Sequence, residues 1–470
     1  MRDYRPRCHL SAPSGWINDP NGPIWWRGRY HLFFQRNPAT PVWAPAIHWG
    51  HAVSSDLVHW EHLEDALAPS PAGADAGGCW SGCVVDDDGV PTAVYSGLRQ
   101  PSDYGAETVC LARGDGELVR WRKDERNPVL AGPPAGLDLA AFRDPFVWRD
   151  DDTWTMVIGA GLTGDGGAVL RFRSPDLLDW AYDGIVLTEA ALDSPLARGR
   201  AWECPQLFPL GDRHVLLLSI QGREPQQTLH SVAVVGSYGR GRFEPEHVER
   251  FDHGADLYAP ATMLDPHGRR LAWGWSWEAR DEAAALEQGW AGTLTLPRVL
   301  TLRQDGRLWI APASELEALR GAHETHHEQP LDGELAVATR GDRLELAVVV
   351  APNDAAAIRV QLCASPDGEE RTLLEWDRDT GLLSIDRSHS SLDPRAAGGR
   401  HSCALELGAG DLELRVFVDA SIVEVFANGR CTLTERIYPT RDDSTGVALS
   451  AFGGAALLRA LDVWQLKPAG

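Results

Sequence analysis

Residues 202–220 read WECPQLFPLGDRHVLLLSI: a turn-like Glu203-Cys204-Pro205, an apolar run from Leu207, a polar Gly211-Asp212, and a second apolar run closing at Ile220. Two apolar runs flanking a short Gly-containing turn specify a β-hairpin. The same shape recurs. Asp19-Pro20, Trp80-Ser81-Gly82, Asp144-Pro145, Glu203-Cys204-Pro205 and Tyr258-Ala259-Pro260 follow one another at separations of 61, 64, 59 and 55 residues. Each is followed by a hairpin pattern: Ile24 to Phe34 around Arg27-Gly28, Val84 to Tyr95 around Asp86 to Gly89, Phe146 to Ile158 around Asp150-Asp151-Asp152, and Met263 to Trp275 around Pro266-His267-Gly268. An aromatic marks a later strand of each of the first four units, at Trp60, Trp121, Trp180 and Phe243. Five units of about four short strands without helical periodicity predict an all-β chain opening with a five-bladed β-propeller, whose radial closure protects its sheet edges. The recurrent aromatics are expected to be inter-blade core.

The repeat ends near residue 310. Ser314 with Glu317 three positions later reads as a capping box opening one short helix, so 311–325 is expected to be a helical linker. Beyond it, alternating runs such as Leu344 to Val350 and Leu412 to Val418, separated by Gly, Asp and Ser clusters, predict a β-sandwich over 326–470, with the propeller at 1–310.

With 67 acidic against 44 basic side chains, the 470-residue chain has a net charge of −23, which disfavours nucleic acid and anionic lipid as partners and suits a small neutral ligand. The N-terminal Met1-Arg2-Asp3-Tyr4-Arg5-Pro6 lacks an apolar signal core, and no stretch is long and apolar enough to span a membrane, so a cytoplasmic location is expected. The eight cysteines form no CxxC pair and read as free thiols. His48 with His51, and His59 with His62, are spaced three apart among strands, which points the two side chains of each pair to opposite faces and away from metal ligation. No metal or cofactor is expected. No feature of the sequence bears on oligomeric state.

Inner propeller strands face a central pocket, and three of the five unit starts carry an acid: Asp19, Asp144 and Glu203. Any one Asp-Pro is an ordinary turn, but three acids in register suggest glycosidase chemistry. One carboxylic acid would protonate a leaving oxygen while a second carboxylate meets the developing cation, and their separation sets retention or inversion. Around the first acid, Trp16-Ile17-Asn18-Asp19-Pro20-Asn21-Gly22 joins an aromatic platform to two amides suited to sugar hydroxyls.

That segment also resembles the nucleophile motif of glycoside hydrolase family 32, the invertases, inulinases, levanases and sucrose-6-phosphate hydrolases. Phe142-Arg143-Asp144-Pro145 resembles the family's Arg-Asp-Pro motif, and Trp202-Glu203-Cys204-Pro205 its Glu-Cys motif. The resemblance implies a five-bladed propeller with a C-terminal sandwich. It implies retaining cleavage of terminal β-fructofuranosyl bonds of sucrose or short fructo-oligosaccharides. Asp19 would be the nucleophile, Glu203 the general acid/base and Asp144 the transition-state stabiliser. Asn18, Gln35, Trp43, Trp80, Ser81 and Arg143 sit where the family places substrate contacts. Asp419 to Gly429 resembles a structural segment of its second domain. Ile17 stands where Met is common, and Trp80 where Phe is. A fructosyltransferase, a sucrose-6-phosphate hydrolase of the same fold and a non-catalytic sugar-binding propeller remain as alternatives. A WD-type scaffold has shorter units and no reason to place acids at their starts.

Overall fold

The computed structural model describes residues 3–224 and 227–469, so Met1, Arg2 and Gly470 of the expected termini lie outside the described residues. Five sheets follow one another in the chain, with inner strands Gly15–Trp26, Gly78–Asp87, Leu139–Asp150, Ala201–Leu210 and Tyr258–Leu264. Each expected hairpin is the first strand pair of its blade. Trp290–Ala291, in the loop region of the fifth blade, pairs parallel with Gly15 and Trp16 of the first and so joins last blade to first. The ring of blades is closed in this way, with each blade's first strand toward the centre and its last strand at the rim.

The core lies between blades. Phe33, Trp49, Tyr95 and Ala112 pack between the first and second, Phe142, Val109 and Phe172 between second and third, and Trp202, Val157 and Leu216 between third and fourth. Trp121 meets Phe33 of the first blade edge to face at 5.5 Å, and Trp60 meets Trp273 of the fifth at 6.3 Å. These tryptophans also close a local turn. The indole Nε1 of Trp60, Trp121 and Trp180 donates to the carbonyl of Leu57, Leu118 and Leu177, each of which has left-handed backbone. In the Ser-x-Asp-Leu versions, Asp56 Oδ1 accepts from Val58 N and His59 N, and Asp176 Oδ1 from Leu178 N and Asp179 N. The side-chain oxygen replaces turn hydrogen bonds that a left-handed residue would otherwise leave open.

The last propeller strand is Leu308–Pro312, and Ser314–Leu319 forms a 3-10 helix. The expected capping box is corrected here: the cap position is Ala313, no side chain caps the helix, and Ser314 Oγ donates to Glu315 instead. Ser314 is already the first residue inside the helix, so its hydroxyl lies one position past the cap and cannot serve as the capping oxygen. The strand Arg320–Ala336 starts within the span expected to be linker and pairs along Gly446–Leu466. The C-terminal unit is a ten-stranded antiparallel sheet folded on itself over one core that includes Leu346, Val348, Ile358, Leu383, Val416 and Leu458.

A charged seam docks the two units. Asp419 accepts the backbone N–H of Arg7, Cys8 and His9 and bonds His9 Nδ1 at 2.9 Å, while Glu424 bonds His9 Nε2 at 2.9 Å and accepts from Leu296 N and Arg298. The segment Asp419 to Gly429 singled out in the sequence is therefore the sandwich's grip on the propeller.

Candidate active site

Every blade carries the same defect at the start of its inner strand. Asn18-Asp19 opposes Gln35 alone, Trp80-Ser81 opposes Ser96, Asp144-Pro145 opposes Ile158, Cys204-Pro205 opposes Leu218, and Ala259-Pro260 opposes Gly274. Two residues facing one is a β-bulge, which suspends strand alternation and re-aims the side chains beside it. Proline fits there because the bulged N–H has no ladder partner. Neighbours that would otherwise point to opposite faces, Asn18 with Asp19 and Arg143 with Asp144, both line one pocket.

The bulge also corrects the sequence reading. Aligned on their prolines, Asp144 matches Cys204 and Ala259, whereas Glu203 matches Arg143 and Tyr258. The three acids share a pocket without sharing a repeat position.

That pocket holds about 220 Å³ and is lined by Trp16, Asn18, Asp19, Gln35, Trp43, Trp80, Tyr104, Arg143, Asp144, Glu203, Gln221, Thr228, Tyr258 and Trp275. Of the residues singled out in the sequence, all but Ser81 line it. Ser81 lies beneath, its Oγ donating to Asp19 Oδ2 at 2.7 Å while Gln35 Nε2 donates to it in turn. Asn18 Nδ2 bridges Asp19 Oδ1 (3.2 Å) and Gln35 Oε1 (2.7 Å), and Trp16 Nε1 holds the Asn18 carbonyl at 3.0 Å. Asp19 is thus fixed by two side chains that are themselves fixed.

Cys204 Sγ lies 3.5 Å from both Asp19 Oδ2 and Asp144 Oδ2, and Cys204 N donates to Asp144 at 3.0 Å, so the two aspartates face each other across one sulfur. Glu203 is gripped from two sides. Arg143 donates through Nε (2.9 Å) and Nη2 (2.7 Å) to Oε1, and the Tyr258 hydroxyl donates to Oε2 at 2.6 Å. Buried Glu107 backs Arg143 at 3.6 Å, and the Arg143 guanidinium lies over the Tyr104 ring.

Burial pushes the Asp19 carboxyl up to about 6, with the Glu203 charge adding to it, although hydrogen bonds from Ser81, Asn18 and Cys204 pull the other way. Asp144 is raised by burial against the opposing pull of Arg143, with Glu203 and Asp19 pushing it further up. Burial and the Glu203 charge hold the Tyr258 phenol protonated, so it can only donate to Glu203. Three acids around one guanidinium can supply both a proton and a nucleophilic or stabilising carboxylate.

Tyr104, Glu107, Gln221, Thr228, Tyr258 and Trp275 were not singled out. Tyr258 had a signal, since it opens the fifth unit at the position of Glu203. Trp275 closes the fifth hairpin and faces Tyr258 across it, while Tyr104, Glu107, Gln221 and Thr228 lie outside the recurring motif.

Across the described residues no helix is long and apolar enough to cross a membrane. "Glycosyl hydrolases family 32 N-terminal domain" matches residues 9–312, and "Glycosyl hydrolases family 32 C terminal" matches 315–465. The chain is 37% identical to a raffinose invertase of Escherichia coli over 98% of this chain and 95% of that one. It is 35% identical to a sucrose-6-phosphate hydrolase of Escherichia coli over the same shares, 98% and 95%. Among solved structures, a mutant of the Bombyx mori GH32 beta-fructofuranosidase BmSUC1 in complex with sucrose is similar at 30% identity and TM-score 0.82, covering 99% of this chain and 94% of that one. Fructan 1-exohydrolase IIa of Cichorium intybus is similar at 25% identity and TM-score 0.88, covering 99% and 98%.

Proposed function

The chain belongs to glycosyl hydrolases family 32, and from that membership we propose how its own residues divide the work of a β-fructofuranosidase. The enzyme cleaves terminal β-fructofuranosyl bonds with retention. Glu203 protonates the glycosidic oxygen as Asp19 attacks the anomeric C2, the bond to the leaving sugar breaks, and a fructosyl ester of Asp19 forms. Glu203, now a carboxylate, takes a proton from water, which displaces Asp19 and regenerates both groups. Asp144 stabilises the oxocarbenium-like transition state and holds ring hydroxyls.

One observation carries this assignment: acids from three blades converge on one pocket in unlike settings. Asp19 is pinned by the donors Ser81 and Asn18, which orient a nucleophile. Glu203 is gripped by Arg143 and Tyr258, one on each carboxyl oxygen, which fixes the group that exchanges protons with the leaving oxygen and with water.

The substrate is a small neutral fructoside, sucrose or a short fructo-oligosaccharide. A pocket of about 220 Å³ suits a fructosyl ring with a small leaving group, and Trp43, Trp80 and Tyr104 meet edge to face on one side of it. Among the described residues lining the pocket, Arg143 is the one Lys or Arg, and it is already committed to Glu203 and Glu107, which leaves no free cation for a phosphate. Cys8, Cys79, Cys83, Cys110, Cys204, Cys403 and Cys431 are buried thiols outside any disulfide, which fits a reducing cytoplasmic compartment.

Fructose release from sucrose, 1-kestose, inulin, levan and sucrose 6-phosphate, with Glu203→Ala as the blank, tests the reading. Sucrose or kestose should lead. Vigorous release from long levan with little from sucrose would sink the substrate assignment, and a large preference for sucrose 6-phosphate would place the chain with the sucrose-6-phosphate hydrolases. Predominant transfer of fructose to sugar hydroxyls would make it a transferase. The reaction uses side chains for every proton and bond, so chelator should leave kcat unchanged.

A further inference from the structure

At the seam between propeller and sandwich, His253, Cys403 and Cys431 bring one ring nitrogen and two sulfurs within 4.8 Å of one another. They come from three elements: the segment after propeller strand Arg242–Arg250, and the sandwich strands Arg400–Ala404 and Cys431–Arg436. Those two strands are the opposite ends of the ten-stranded sheet, brought together where it folds on itself. The backbone sets the meeting. His253 N donates to Thr432 O at 2.8 Å, and Thr432 Oγ1 donates to Phe251 O at 3.0 Å, which clips the propeller segment beside Cys431.

Both cysteines are buried, at 3% and 1% exposure, and neither is in a disulfide. The buried Nδ1 of His253 has no oxygen or nitrogen partner and the ring meets the Cys403 thiol, so the three donor groups already converge on one another. His253 also borders a solvent-open cleft with Arg400, His401 and Ser402, which gives an ion an entry route and a water a place to bind. The adjacent residue Asp252 is spent on Gly254 N, Thr434 and Arg298, so its carboxylate is not a fourth ligand.

We propose that His253, Cys403 and Cys431 form a structural zinc site that ties the two free ends of the sandwich to the propeller, with water as the fourth ligand. Two thiolates and an imidazole are a soft set that rejects magnesium and calcium and is too few in sulfur for an iron–sulfur cluster. Binding replaces two thiol protons, released to solvent, by one divalent cation, so the shell is electroneutral and suited to a buried seam. None of the three residues lines the catalytic pocket.

The test uses the full-length protein, kept reduced, stripped with chelator and titrated with zinc, then with cobalt as a spectroscopic stand-in. One equivalent of zinc should bind and raise the melting temperature, and cobalt should show thiolate charge-transfer and tetrahedral d–d bands. Cys403→Ser and Cys431→Ser should each weaken the charge-transfer band. His253→Gln, which keeps both thiols and a partly exposed position, should lower zinc affinity about tenfold or more without changing fructose release. Cys83→Ser, in another blade, should leave the cobalt spectrum intact. Three results would overturn the site: no metal uptake by the folded protein, a cobalt spectrum unchanged in Cys403→Ser, or a Cys403–Cys431 disulfide in the reduced preparation.

Discussion

At the scale of single residues, the acids differ by what touches them. As the proposed nucleophile, Asp19 must be ionised to attack C2, yet burial and the Glu203 charge raise it to about 6. kcat/KM should therefore fall about tenfold per pH unit below that value, read from a pH profile on sucrose. The same shift bears on stability with the opposite sign. A carboxyl raised in the folded state destabilises the fold above about 6 and is relieved as pH falls through that value, because the folded chain then binds the extra proton. Asp19→Asn should thus abolish turnover, on the order of 10⁴-fold or more, while raising the melting temperature at neutral pH. Glu203→Ala should spare the first step for a fructoside with a good leaving group and stall the second, giving a burst and then arrest. Equal losses on good and poor leaving groups would contradict the assigned acid.

At the scale of elements, the bulge in each inner strand lets adjacent residues share one pocket, and glycines keep the neighbouring blades close enough for it. Gly159 pairs with Arg143 across its own blade, and a Cβ there would sit 2.3 Å from the carbonyl of Trp202 in the next one. Backbone cannot rotate aside as a side chain can. Gly159→Ala should cost about 1–3 kcal/mol in denaturant unfolding. It should also lower kcat about ten- to a hundredfold by displacing the strand that carries Glu203. Full activity with only lost stability would mean that the two blades position their acids independently.

At the scale of the whole molecule, the sandwich is held to the propeller by buried charge. Burial pulls the His9 ring toward neutrality, but the hydrogen-bonded carboxylates Asp419 and Glu424 outweigh it and raise the ring to about 9. Its contribution is fully present below about 6.5 and is lost as pH rises through about 9, on the order of 3 kcal/mol. The melting temperature of wild type should fall across that window. His9→Phe leaves two buried carboxylates short of a partner, which should cost about 3–5 kcal/mol at neutral pH and flatten the alkaline decline. A decline equally steep in wild type and variant would assign it to other groups.

The period near sixty residues, the hairpins and the motifs around Asp19, Asp144 and Glu203 were legible because they are local: turn chemistry and alternation repeat along the chain whatever lies across from them. Five blades and a sandwich follow from that pattern together with the family resemblance, and the same motifs carry the three acids proposed to react. What the chain order could not carry is which neighbours meet across blades. Glu203 stands in the repeat position of Arg143, and only the bulge geometry brings it to the same pocket as Asp19. Tyr104, Glu107 and Gln221 reach Arg143 and its surroundings from outside the repeat motif, and His253, Cys403 and Cys431 lie 150 and 28 positions apart. Local patterning decides strands and turns through hydrogen bonding and side-chain alternation. The wedge packing of blades, and the closure of the sandwich against them, decides which of those side chains meet.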